Sequence, residues 1–246
     1  MLKVFDKIKN LFVKWKFDLF CWNERRNLPK NFKIISLGKY CFPRVITTIN
    51  KLKPTKKMGE KSCPFDLAFF YDFDEIVKLI DEKFSNFYDD LIYNDKNQWV
   101  NESTKTYFVH EYDFTKEQII ERYNKRINNL FDYFADKSVY KFILISSFEE
   151  VSSNQLESLK KALEKYMTED EFSIIFINQA EEYNSCKSKN IYVINQNHNV
   201  EKFNYMNRES RWVIELRKRK TKEANDIYSE VTIELLRIIR NLLENK

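Results

Sequence analysis

Glycine is nearly absent from this chain. Gly38 and Gly59 are the only two in 246 residues, where average usage would supply roughly 17. Glycine is the residue that lets a backbone turn freely and approach a phosphate closely. Its scarcity excludes the G-x-G-x-x-G dinucleotide fingerprint, the P-loop and any mechanism resting on a glycine-rich phosphate cradle.

Other function classes fall to simple counts. Lys+Arg is 42 against 37 Asp+Glu, a net charge of +5. That excess is too weak for a dedicated nucleic-acid binder, so no nucleic-acid partner is expected. With 43% hydrophobic and 32% charged residues, the chain can bury one substantial core. No window reaches about 18 uninterrupted apolar residues, as a transmembrane helix would need. Lys and Asp break up the apolar residues of segment 1–26, which does not read as a secretory signal. Cys21, Cys41, Cys63 and Cys186 lie far apart without metal or disulfide spacing, and the histidines are His110 and His198. Free thiols, no metal and a cytoplasmic location, with contact at the inner face of the membrane, are the expectations.

Segment 1–22 places Leu2, Phe5, Ile8, Phe12, Trp15 and Leu19 at three- and four-residue steps among lysines. This predicts an amphipathic basic helix, suited to packing on a core or to lying on an anionic membrane surface. Residues 1–28 are read as this helix and 29–246 as a single α/β domain. Strands are expected at 32–37, 106–109, 140–145, 172–177 and 191–194. Helices are expected from about Phe42, with Pro43 in the first turn, and over 73–84, 115–134, 153–166 and 224–244. Asp72 or Asp74 suits the cap of the second of these helices, and Thr115 with Gln118 forms a capping box. Segments 51–62 and 89–103 read as loops. Strands separated by helices imply parallel pairing. The expected architecture is a three-layer α/β fold: an open, mostly parallel sheet of about five strands, helices on both faces, and the N-terminal helix.

The sharpest local signal is Ser36-Leu37-Gly38-Lys39-Tyr40-Cys41. A strand runs into a glycine turn, and a cysteine then starts a helix. Free N–H groups and the helix dipole there stabilise a thiolate. Open α/β sheets place ligands at the carboxyl ends of their strands. His110 ends another expected strand, and on parallel strands of one sheet the two residues could meet for nucleophilic acyl chemistry. A small core cysteine and a structural histidine are the plainer alternatives.

These residues also carry a family resemblance. The Ser36-Leu37-Gly38-x-x-Cys41 turn, Cys63-Pro64-Phe65-Asp66, the strand ending in His110, and Tyr123-Asn124-Lys125-Arg126-Ile127 follow in order. Over 32–148 the chain resembles a family of uncharacterised bacterial proteins described as papain-like cysteine peptidases. It departs from that family's pattern at Leu67, where the family favours Trp, and at Asn128 and Asn129, where arginine is common. The resemblance implies Cys41 as nucleophile and His110 as base. The turn is also similar to that of a polysaccharide-biosynthesis acyltransferase family, where Gly-Asn-Cys-Gln follows the first strand. That likeness implies acyl transfer to a sugar, with an acyl donor such as coenzyme A; otherwise no cofactor is expected.

Asp66 is the natural third member, orienting the imidazole, or else a residue capping the turn after Pro64. Ser36 is a candidate substrate contact near the oxyanion. Lys125 and Arg126, with Arg122, form a solvated face or a site for an anionic group. His198 is the second candidate base. Arg208, Arg211, Trp212 and the basic run 217–220 are read as solvated or packing residues. The functional expectation is a cysteine hydrolase or acyltransferase acting on a small-molecule, glycan or peptide substrate. A non-catalytic binding module on the same fold is the alternative.

Overall fold

The computed structural model describes residues 2–54, 56–180, 185–196 and 222–245. The chain forms two compact units, one of residues 31–204 and one of residues 1–30 with 205–246.

The larger unit is mixed α/β. Its parallel sheet has the order β1-β6-β7-β8, formed by Phe32–Ser36, Tyr140–Ser147, Phe172–Asn178 and Ile191–Asn195. β6 and β7 are buried along their whole length, which matches their near-continuous apolar sequence. Ile35, Ile143, Ile145, Ile174 and Phe176 alternate onto one face. There they join residues of α3 (Phe73–Asp81), α4 (Lys116–Ala135) and α5 (Ser153–Glu164) in the main core. Helix α2 (Phe42–Ile49) packs on β1 and β6 and buries Phe42, Val45 and Ile46. The expected caps form: Asp72 accepts the Asp74 N–H, and Thr115–Gln118 is a reciprocal box; Ser152–Gln155 is a second box that was not anticipated.

The strand that precedes His110 is the main correction. β5 (Thr106–Phe108) is not a strand of the parallel sheet. It lies in a separate antiparallel sheet of order β2-β5-β4-β3, with β2 at Phe69–Phe70, β3 at Leu91–Tyr93 and β4 at Trp99–Asn101. Segment 89–103, expected as loop, supplies β3 and β4. Antiparallel neighbours need only a tight turn, whereas a parallel partner needs a crossover of a dozen residues or more. Here Asn97 (φ 57°) turns β3 into β4, and Lys105 (φ 48°) turns β4 into β5. Non-glycine residues thus do the turning that glycine usually does. The described parallel sheet therefore has four strands rather than about five, and the connection from β1 to β6 carries the whole antiparallel sheet.

The smaller unit pairs α1 (Leu2–Asn27) with α6 (Lys222–Glu244). α1 runs past the expected end at Trp22 to Asn27. Phe17 meets Tyr228 edge-on, with ring centroids 5.8 Å apart. Arg240 pairs with Glu24 at 2.7 Å, and Cys21 between them along the helix is buried.

Candidate functional site

The site is built outward from the end of β1. Leu37 donates its N–H to the Leu144 carbonyl at 2.8 Å, and Gly38 then turns with φ 128°. A Cβ at Gly38 would lie 3.2 Å from the Ser146 nitrogen and 3.3 Å from its oxygen. The close pass of β6 and the left-handed backbone are why this position holds one of the two glycines. Lys39 follows, buried, and pairs with Glu149 just beyond β6. The Tyr40 ring packs between Phe69 and Phe148, centroids 4.6 and 4.7 Å away. Burial pushes its hydroxyl up to about 12.

Cys41 closes this turn as the N-cap residue of α2, with φ −73° and ψ 6°, and its carbonyl accepts the Val45 N–H at 2.9 Å. It is half-buried. The start of α2 supplies N–H groups free of intrahelical bonds and the positive end of the dipole. Cys63 stands in contrast. It is fully buried, and burial, then the nearby Asp66, pushes its thiol up to about 12. Cys21 is buried and Cys186 half-buried.

Asp66 is brought together with cations. Its Oδ2 accepts from Arg44 Nη1 at 2.6 Å and from the Cys63 N–H at 2.9 Å, and its Oδ1 accepts from Lys53 Nζ at 3.3 Å. Lys53 also lies 3.7 Å from Glu60, both side chains almost fully buried. The turn-capping role expected after Pro64 is therefore present, and both carboxylate oxygens are engaged by it and by the cations. Arg44, Lys53 and Glu60 are residues that sequence reasoning missed. The signal available was Arg44 itself, three residues after Cys41 on α2. Lys53 and Glu60 lay hidden in a stretch that reads as a polar loop.

His110 lies exposed in the turn after β5, two residues past the strand end. The next residue, Glu111, is fully buried. It accepts from Arg126 Nη1 at 3.1 Å, with Arg122 Nε 3.4 Å away. Arg126 is 4% exposed, and its guanidinium lies 4.4 Å from the Tyr123 ring centroid. This corrects the solvated-face reading for Arg126: its charge is spent on Glu111, because a buried guanidinium needs a partner. Lys125, one position away, is exposed. Glu111 itself was missed, although its place beside His110 was the available clue.

Ser36 is 1% exposed. Strand register and alternation put it on the same face of the parallel sheet as Ser146, Gln179 and Gln196. Gln179 Nε2 donates to Gln196 Oε1 at 3.0 Å. Ser36 Oγ, Ser146 Oγ, Gln179 Oε1 and Gln196 Nε2 are buried without a hydrogen-bond partner among the described residues. Gln179, Gln196 and Ser146 were not singled out from the sequence; they read there as ordinary strand ends. His198, Arg208, Arg211, Trp212 and segment 217–220 lie outside the described residues. Among the described residues, no group of three or more His, Cys, Asp or Glu side chains could hold a metal ion.

Fold and site together define an α/β protein with a half-buried thiol at a helix N-terminus, at the carboxyl edge of a parallel sheet. The chain belongs to the family described as "Putative papain-like cysteine peptidase (DUF1796)", whose model matches residues 32–182, more than half of the chain. The resemblance read from the Cys41, Cys63-Pro64-Phe65-Asp66 and His110 motifs is borne out, and the match extends past 148 through β7. No curated protein and no solved structure matches the chain.

Proposed function

We propose that this protein performs acyl chemistry through Cys41, hydrolysing a peptide or a related acyl substrate. The observation that carries the proposal is Cys41 itself: a half-buried cysteine that caps α2 directly after the β1–Gly38 turn. His110 is the proposed base. Backbone pairing supports its reach. Phe70 bonds Lys39 on one side at 3.1 Å, and Phe69 pairs with Tyr107 on the other. Lys39 and Tyr107, two residues before Cys41 and three before His110, thus flank the same short strand, about two strand spacings apart.

In this reading His110 takes the Cys41 thiol proton as sulfur attacks the acyl carbon. The protonated imidazole then gives that proton to the leaving group, and a thioester remains. Water, deprotonated by His110, attacks the thioester and regenerates the thiol. A sugar hydroxyl in place of water would make the same sequence a transfer. Asp66 serves as a positioning residue: through Arg44 it holds the first turn of α2, and thereby Cys41.

The test is alkylation of the native chain by iodoacetamide near neutral pH, with the labelled cysteine mapped by mass spectrometry. Cys41 is expected to react well ahead of Cys186, Cys21 and Cys63, and His110→Gln should slow it. Cys41→Ser should abolish hydrolysis of an activated ester such as p-nitrophenyl acetate. Labelling of Cys41 no faster than Cys186 overturns the reading and leaves the binding module.

A further inference from the structure

We propose that α1 is an interfacial helix that docks this protein on an anionic lipid surface, lying in the membrane plane. The observation is that, among the described residues, α1 pairs with its own unit along one face and carries large apolar side chains exposed on another. Phe17, Cys21 and Glu24, at helical spacing, form the face paired with α6 through Tyr228 and Arg240. Leu11, Phe12, Trp15, Leu19 and Trp22 fall on a separate arc of about 100°, at 100° per residue. Each of these five is 48–60% exposed, and neighbouring Phe20 is 45% exposed.

Exposed leucine scattered singly is ordinary, but five large side chains along one helical stripe are not. The cations identify what covers them. Lys16 Nζ lies 4.7 Å from the Phe12 ring centroid, and the Arg26 guanidinium lies 5.3 Å from that of Trp22. Positive charge therefore sits directly beside the aromatic stripe. Lys14 and Arg25 add further positive charge along the same stretch of helix, against Asp18 and Glu24. A surface that meets this arrangement must take apolar rings in its depth and offer negative charge at its rim. Acyl chains beneath anionic headgroups do both, and long basic side chains can keep their charge at headgroup level. Among the described residues no helix is long and apolar enough to cross a membrane, so α1 lies on the surface and does not span it. The proposal is independent of Cys41 and of the acyl chemistry.

The experiment is co-sedimentation of the full chain with vesicles of phosphatidylcholine alone, or mixed with phosphatidylglycerol. Binding to the mixed vesicles is expected to exceed binding to the neutral ones by about tenfold or more and to weaken as salt is raised. The double variants Phe12→Glu/Trp15→Glu and Leu19→Gln/Trp22→Gln should each lower it by about tenfold or more without shifting the unfolding temperature. The second pair decides should the first unfold. Equal sedimentation with and without phosphatidylglycerol overturns the proposal, as does unchanged binding of either folded variant. A native dimer that ignores vesicles and falls apart in either variant also overturns it, and assigns the stripe to a second copy of this chain.

Discussion

The α/β unit and the N-terminal helix break the usual inside–outside rule in opposite directions. Around the candidate site the α/β unit hides charge: Lys39, Lys53, Glu60, Asp66, Glu111 and Arg126 are each under a tenth exposed. α1 instead displays apolar rings. Burying an ion pair recovers little net stability against well-packed apolar residues. Three of these buried charges join separate segments of the chain, Lys39 to an exposed Glu149. Lys39 ties the Cys41 turn to the end of β6, Asp66 ties α2 to the Cys63 turn, and Glu111 ties the His110 turn to α4. The buried charges hold irregular backbone in one geometry. The exposed rings of α1 stand outside its pairing with α6 among the described residues.

The largest expected effect lies among the buried charges. Asp66→Ala leaves Arg44 and Lys53 without their shared carboxylate and should cost about 3–5 kcal/mol in denaturant unfolding. Glu111→Gln weakens the tie to Arg126 and should cost about 2 kcal/mol. If the tie positions His110, this variant should also slow Cys41 alkylation; an unchanged rate would reduce Glu111 to a purely structural residue. Gly38→Ala meets both strained backbone and the close pass of β6, and should cost about 1–3 kcal/mol.

A pH series separates the cysteines. The folded Cys63 thiol titrates near 12 and its ordinary value is 9.0, so the native state keeps a proton that the unfolded chain loses. Its contribution is intact below pH 9 and is lost as pH rises toward 12. Cys63→Ala should flatten the alkaline fall in stability, read by thermal melts across that window. The smallest effect on stability is expected on α1. Phe12→Glu/Trp15→Glu should change unfolding by no more than about 0.5 kcal/mol per substitution, as exposed positions do. A larger loss would show that the stripe packs within the fold, and would erase the contrast between the two regions.

Much of this molecule is written in local pattern. The apolar runs at 140–145 and 172–177, the period of α4 and α5, and the Thr115–Gln118 and Pro43 signals each depend on residues a few positions apart. Such signals survive without knowledge of the rest of the chain. The Gly38–Cys41 turn was legible for the same reason: strand, glycine and helix start are contiguous. Of the antiparallel sheet only β5 was legible, as a strand but not as part of this sheet. Its other strands are two or three residues long, too short for alternation to register. Its turns rest on Asn97 and Lys105, where no glycine marks the bend.

From the sequence alone came the α/β class, the candidate nucleophile, the family motifs and the basic amphipathic character of α1. Only the tertiary structure decided which sheet carries β5, that Arg126 faces Glu111 instead of solvent, that Asp66 is held by Arg44 and Lys53, and which face of α1 stays bare. The physical reason is common to all four. Periodicity and capping are short-range properties of the chain, whereas the partner of a buried charge or an apolar face is chosen by segments tens to hundreds of residues away.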